Sequence, residues 1–132
     1  PMLLITAFFA SILTLIYIKL AKNVIRLRRE KKISLGHGKS ENLEKAIRAH
    51  ANFNEYVPIG LILMACLEVN KFNAVIIVLV GGLFLGGRFL HAQSFLKDEM
   101  DIDLRVKGIK CTFWSLMIMS GLNLFSIAMS FL

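Results

Sequence analysis

The sequence predicts an all-α integral membrane protein: a bundle of four transmembrane helices forming a single domain over residues 1–132. The chain is 56% hydrophobic and carries ten phenylalanines in 132 residues, too apolar a composition for a water-soluble domain of this size. Its apolar residues gather into four runs, 2–20, 56–69, 72–96 and 109–132, and about 20 such residues cross a hydrocarbon core as a helix. The net charge of +7 is also confined. Of sixteen Lys and Arg, nine lie within residues 22–48 and four within 97–110.

The first run is broken only by Thr and Ser residues and by Lys19, which can snorkel to the interface. It lacks a basic leading segment and is too long for the apolar part of a secretory signal, so it is expected to stay as helix one. No breaker follows before Lys32, and helix one is predicted over 2–32, its end carrying Arg26, Arg28, Arg29, Lys31 and Lys32. Gly36-His37-Gly38-Lys39-Ser40 then forms a turn in which glycine supplies positive φ and Ser40 caps the next helix. A phosphate-binding loop is excluded there, because neither the preceding strand nor the required spacing is present.

Helix two is predicted over 41–69. Its apolar part is short, and its first turns are polar. Pro58 withholds the amide that would bond the Asn54 carbonyl, so a kink or loosening is expected. Helix three is predicted over 72–96, where Gly81, Gly82, Gly86 and Gly87 form a small-x-x-x-small pattern suited to close helix packing. Residues 98–107 read as a mixed-charge connection, and helix four is predicted over 106–131.

Four helices place the two basic connections on one side of the membrane and both termini, with the short 68–71 turn, on the other. The positive-inside rule assigns the basic side to the cytoplasm. Topology and attraction to anionic lipid account for these charges, so a nucleic-acid partner is not expected. Cys66 and Cys111 have no metal-binding spacing and read as packing residues, and no metal is expected.

Helix two presents an unexpected polar wall. At 100° per residue, Arg48, Asn52 and Glu55 fall within about 60° of one another, flanked by Glu44 and Tyr56. Helix three repeats the pattern with Arg88, His91 and Phe95 on one face. Both walls belong to the basic ends of their helices and can line one shallow cavity. Ionisable groups at membrane depth point to a functional site. The alternative is architectural, with Arg48 or Arg88 paired to Glu44 or Glu55 across helices. Arginine forks suit carboxylates, Glu55 an ammonium and Asn52 an amide, which together describe a small zwitterionic peptide-like ligand. Lowering the pKa of a thiol there requires a further cation, and Arg105 is placed to supply it. His50 lies about 160° from the wall and reads as a satisfied histidine at a helix contact. Asn54 points similarly away and is expected to bond a neighbouring helix.

Arg48-Ala49-His50-x-Asn52-x-x-Glu55-Tyr56-x-Pro58 and Gly87-Arg88-x-x-His91 resemble two signatures of the membrane-associated proteins of eicosanoid and glutathione metabolism, the MAPEG family. The Leu35-Gly36-His37-Gly38 turn and Arg105-x-x-Gly108 are most similar to its short bacterial branch. The resemblance covers nearly the whole chain. It implies a homotrimer in the bacterial inner membrane, with glutathione as bound thiol co-substrate between subunits and lipophilic small-molecule substrates arriving among the membrane lipids. Carried over by position, Arg48, Asn52, Glu55, Tyr56, Arg88 and His91 would hold glutathione, with Arg26 or Arg29 contributed from helix one. Arg105 matches the catalytic arginine that stabilises the thiolate. Several family members carry a tyrosine where this chain has Phe95, which can neither bond a thiol nor give it a proton. The implied activity is a glutathione-dependent transferase or peroxidase acting on lipophilic electrophiles. The alternative is a non-catalytic protein of the same fold that binds glutathione, a lipid or another anionic metabolite. A transporter is disfavoured because the polar residues cluster at one end rather than through the midplane.

Overall fold

The computed structural model describes residues 2–132 and consists of four helices: α1 (Leu4–Lys31), α2 (Glu41–Val69), α3 (Ala74–Leu96) and α4 (Ile102–Ser130). α1, α3 and α4 are each long and apolar enough to cross a bilayer. α2 is too charged in its first half to qualify on composition, yet it runs the full height of the bundle. Glu68 near its end meets the start of α1, and Lys45 near its beginning meets Asp98 just beyond α3. At 1.5 Å per residue, 29 residues span about 43 Å, more than a hydrocarbon core of about 30 Å. α1, α3 and α4 all pack against α2, Leu27 of α1 meeting Leu43 and Ala46 in its first turns.

Each helix end has an identifiable cause. α1 stops where Lys32 turns left-handed and the Ile33 N–H returns to the Arg28 carbonyl at 3.1 Å. Arg28 then donates to the Gly36 carbonyl at 2.8 Å, tying the turn back to the helix. Gly36 and Gly38 both take positive φ, and Ser40 caps α2 by accepting from the Leu43 N–H. α2 continues as α-helix through Pro58. α3 begins at residue 74, two later than expected, because the Asn73 side chain accepts from the Ile76 N–H.

α4 begins at residue 102, four residues before the predicted start. Asp101 caps it, accepting from the Leu104 N–H at 3.1 Å, and Lys97 pairs with the same carboxylate at 2.8 Å. Much of the stretch read as a mixed-charge connection is therefore helix, and Arg105 stands on its first turns.

The start of α1 is secured from a distance. Its N-cap Leu3 offers no side-chain acceptor; instead the Glu68 carboxylate accepts from the N–H groups of Ile5 and Thr6 and from the Thr6 hydroxyl, each at 2.7 Å. Negative charge at a helix N-terminus also complements the helix dipole. This contact fixes the vertical register of antiparallel α1 against α2.

Phe9, Leu13, Phe53, Met64, Leu67, Ile77, Phe84 and Met119 form the buried core. Leucine, isoleucine and phenylalanine side chains remain exposed around the outside, as a lipid-facing surface requires. Only two of the four glycines expected to aid packing do so. Gly81 receives the Phe9 ring and Gly87 lies against the α4 backbone, whereas Gly82 and Gly86 have open space beside them. Cys111 is half-buried, but Cys66 is exposed rather than packed.

Replacing Glu68 with alanine removes three hydrogen bonds to a charged acceptor. Glu68→Ala is expected to lower unfolding stability by about 1–3 kcal/mol and Glu68→Gln by less, as read from thermal denaturation in detergent.

Candidate functional site

α3 and α4 meet backbone to backbone. A Cβ on Gly87 would lie 2.9 Å from the Gly108 carbonyl oxygen, and one on Gly108 would lie 2.8 Å from the Gly87 carbonyl oxygen and from the His91 Cα. This approach brings the polar residues of α3 directly against α4 and leaves α2 to close the third side.

Arg88 sits where the three helices converge and is fully buried. Its Nε donates to the Thr112 hydroxyl of α4 at 2.9 Å, and one terminal nitrogen donates to the Asn52 carbonyl of α2 at 3.2 Å. Its guanidinium carbon lies 4.7 Å from the centre of the Tyr56 ring, within cation–π range. Thr112 in turn donates to the Gly108 carbonyl at 2.8 Å. The second terminal nitrogen of Arg88 has no partner.

Pairing of Arg48 or Arg88 with Glu44 or Glu55 is not realised among the described residues. Among the described residues the ion pairs are Arg26–Glu30 and Lys97–Asp101, both between neighbours on the surface. Arg88 thus carries a buried charge with no carboxylate beside it, a costly arrangement unless an anion or polar ligand completes it.

Two adjoining clefts open above Arg88. One, of about 240 Å³, is lined by Glu44, Lys45, Arg48, Phe95, Met100 and Arg105. The other, of about 280 Å³, is lined by Asn52, Tyr56, His91 and Arg105 with apolar residues of α4. Arg105 stands between them and belongs to both. Its guanidinium lies 5.4 Å from the centre of the Phe95 ring and reaches the Met100 sulfur at 3.8 Å. Phe95 therefore acts as a platform that holds the cation over the clefts. His91 is nearly buried, its ring 5.2 Å from that of Phe95.

The structure thus gathers Arg48, Asn52, Tyr56, His91 and Arg105 into one recess, with Arg88 beneath it. Glu55 is exposed and lines neither cleft. Arg26 and Arg29 lie on α1, which packs on α2 and α3 and does not reach α4. Arg26 bonds Glu30 and Asn23, and Arg29 borders a shallow surface depression with Arg28 and Lys32. His50 stacks on Tyr17 with ring centres 4.8 Å apart, but its buried Nε2 has no partner, contrary to the expectation of a satisfied histidine. Asn54 is exposed and makes no helix-to-helix hydrogen bond among the described residues. Sequence reasoning missed Thr112, although a hydroxyl four residues after a glycine in an apolar helix is a detectable signal. No group of three or more potential metal ligands occurs among the described residues.

A family model described as the MAPEG family matches residues 6–125. The chain belongs to the MAPEG family. It is 31% identical over 121 residues to inner membrane protein YecN of Escherichia coli strain K12, covering 92% of this chain and 91% of YecN. YecN of an Escherichia coli O6:H1 strain matches to the same extent. In this MAPEG chain both resembling signatures fall around the recess, Arg48 to Tyr56 on α2 and Gly87 to His91 on α3.

Two measurements probe the construction of the site. Thr112→Val strips Arg88 of its Nε partner and is expected to cost about 1–3 kcal/mol of stability in detergent, while Thr112→Ser loses less than half of that. The cap that positions Arg105 is pH-sensitive: the hydrogen bond from Lys97, followed by the Leu104 N–H, holds the Asp101 carboxyl below its usual range. A lowered folded-state pKa means that this stabilisation is present above the unfolded value and is lost as pH falls through the folded one. Amide exchange at Leu104 and Arg105, corrected for intrinsic rate, should accelerate in that acid window, and Asp101→Ala should abolish the dependence.

Proposed function

We propose that this protein is a membrane-bound glutathione-dependent transferase or peroxidase acting on lipophilic electrophiles, embedded in a bacterial inner membrane as a homotrimer. One observation carries the reading. A buried, carboxylate-free Arg88 underlies a recess in which Arg48, Asn52 and Tyr56 of α2 face His91 of α3 and Arg105 of α4.

The residues suit an anionic tripeptide thiol. Arg48 is exposed and makes no ion pair among the described residues, so its fork is available to a carboxylate. The Asn52 side chain offers both a donor and an acceptor to a peptide group. Arg88 supports this wall from below, holding the α2 backbone through the Asn52 carbonyl and the Tyr56 ring through its face. When bound, glutathione supplies a thiolate that forms a C–S bond with an electrophilic carbon as the bond to the leaving halide breaks. Arg105 favours the deprotonated sulfur by placing a fixed positive charge beside it. Phe95 exchanges no proton, so it serves by positioning Arg105, and the thiol proton leaves to solvent.

A trimer fits the remaining residues. Arg26 and Arg29 line neither cleft of their own chain's recess, and a neighbouring copy would bring its α1 arginines to the open side. Glu55, turned outward, would meet the same neighbour or the ligand's ammonium. The basic connections would face the cytoplasm, placing the recess near that surface with lipid access between helices. The E. coli relative YecN is an inner membrane protein, which supports the same location.

A second reading has one specific support. Phe95 removes the hydroxyl that a tyrosine would bring to the thiol, which suits a protein that binds an anionic metabolite without turning it over. Calorimetry with glutathione and conjugation of an electrophilic aromatic halide separate the two. For the enzyme, Arg48→Ala weakens binding, whereas Arg105→Leu keeps binding within a few-fold and lowers kcat about 100-fold. The bound thiol should also titrate below its free value of about 8.5. Binding without conjugation or a lowered thiol pKa selects the second reading, and absence of glutathione binding rejects both glutathione readings.

A further inference from the structure

A further crevice of about 500 Å³ opens where the second half of α1 meets the start of α2 and the end of α3. Its rim carries Lys19, Lys22, Arg26, Lys45 and Lys97 against a single carboxylate, Asp98. Three of these cations are engaged: Arg26 with Glu30, Lys97 with Asp101, and Lys45 with the Asp98 backbone carbonyl at 2.9 Å. Lys19 and Lys22 have no hydrogen bond or ion pair among the described residues.

The spacing of residues 19, 22 and 26 puts three positive charges on one face of α1. Like charges at three and four residues apart oppose one another on a helix, so the row is stabilised by an anion seated among them. The floor and walls are different in kind, with Leu27, Ala46 and Phe95 presenting apolar surface. Lys19 marks the end of the apolar run of α1, which sets the crevice at the membrane boundary on the side of the basic connections. A concave site with a cationic rim, apolar walls and a place at the interface matches a phosphodiester attached to acyl chains.

We infer that this crevice binds the headgroup of an anionic phospholipid, its phosphate held by Lys19, Lys22 and the neighbouring cations while the headgroup glycerol lies toward Leu27 and Phe95 and the acyl chains run back along the apolar part of α1 into the bilayer. The two free cations of the site, Lys19 and Lys22, take no part in the thiol reading, since Arg48, Asn52, His91 and Arg105 face the other clefts. Lys45 and Phe95 form the ridge between the two.

The shared chemistry, a phosphate, can also come from solution, and lysines at this height can serve topology alone. Native mass spectrometry of the full-length protein in neutral detergent distinguishes these cases with three probes: phosphatidylglycerol, phosphatidylcholine and inorganic phosphate. One phosphatidylglycerol per chain should be retained at least about tenfold more tightly than phosphatidylcholine, and millimolar phosphate should not displace it. The double variant Lys19→Gln/Lys22→Gln should reduce phosphatidylglycerol affinity at least about tenfold and leave phosphatidylcholine unchanged. Lys31→Gln/Lys32→Gln, with the same change in net charge beyond the crevice, should alter it by less than about twofold. Equal losses in the two variants, equal affinity for the two lipids, or displacement by inorganic phosphate would each overturn the inference.

Discussion

A guanidinium sealed among three helices, with no carboxylate to neutralise it, constrains everything around it. Arg88 is held by an α4 hydroxyl and an α2 carbonyl and lies over an α2 ring. In a membrane protein an unpaired buried charge is costly unless protein polar groups stand in for water. Thr112, Asn52 and Tyr56 must therefore keep their stations. The relative rotation of α2, α3 and α4 is thereby fixed, and with it the recess above.

Around that anchor the bundle uses unlike devices at its two ends. At one end Glu68 stitches α1 to α2 through the first-turn N–H groups that α1 itself leaves without acceptors. At the other, Ser40 and Asp101 cap the helices that carry Arg48 and Arg105. The second end also holds the basic crevice and both clefts. Polar chemistry is concentrated there, while the middle of the bundle is closed by Phe53, Met64 and Phe84.

Much of this was legible in the sequence. Apolar runs and caps placed α1, α2 and α3 to within two residues at each end, because burial in lipid imposes long uninterrupted apolar segments. The 3.6-residue period put His91 beside Phe95, and their ring centres lie 5.2 Å apart. Helical periodicity ranks faces within one helix, but it cannot say how far a helix is rotated against its neighbour. That is why Arg88, read as lining a cavity, proves to lie beneath it, and why Glu55 falls outside. Asp101 was hidden in a run of mixed charge, although an acid followed by Ile102 and Leu104 is a cap signal. Glu68 was not legible at all, since its partners lie more than sixty positions away in the chain.

The direct meeting of Gly87 and Gly108 has a mechanical consequence. Where side chains interlock, a helix pair can breathe by exchanging rotamers; where main chain touches main chain, that freedom is gone. The α3–α4 seam therefore behaves as a fixed jaw carrying His91, Phe95 and Arg105 as a unit. Any widening of the mouth to admit bulkier guests falls to α2, whose amide ladder is already interrupted at Pro58.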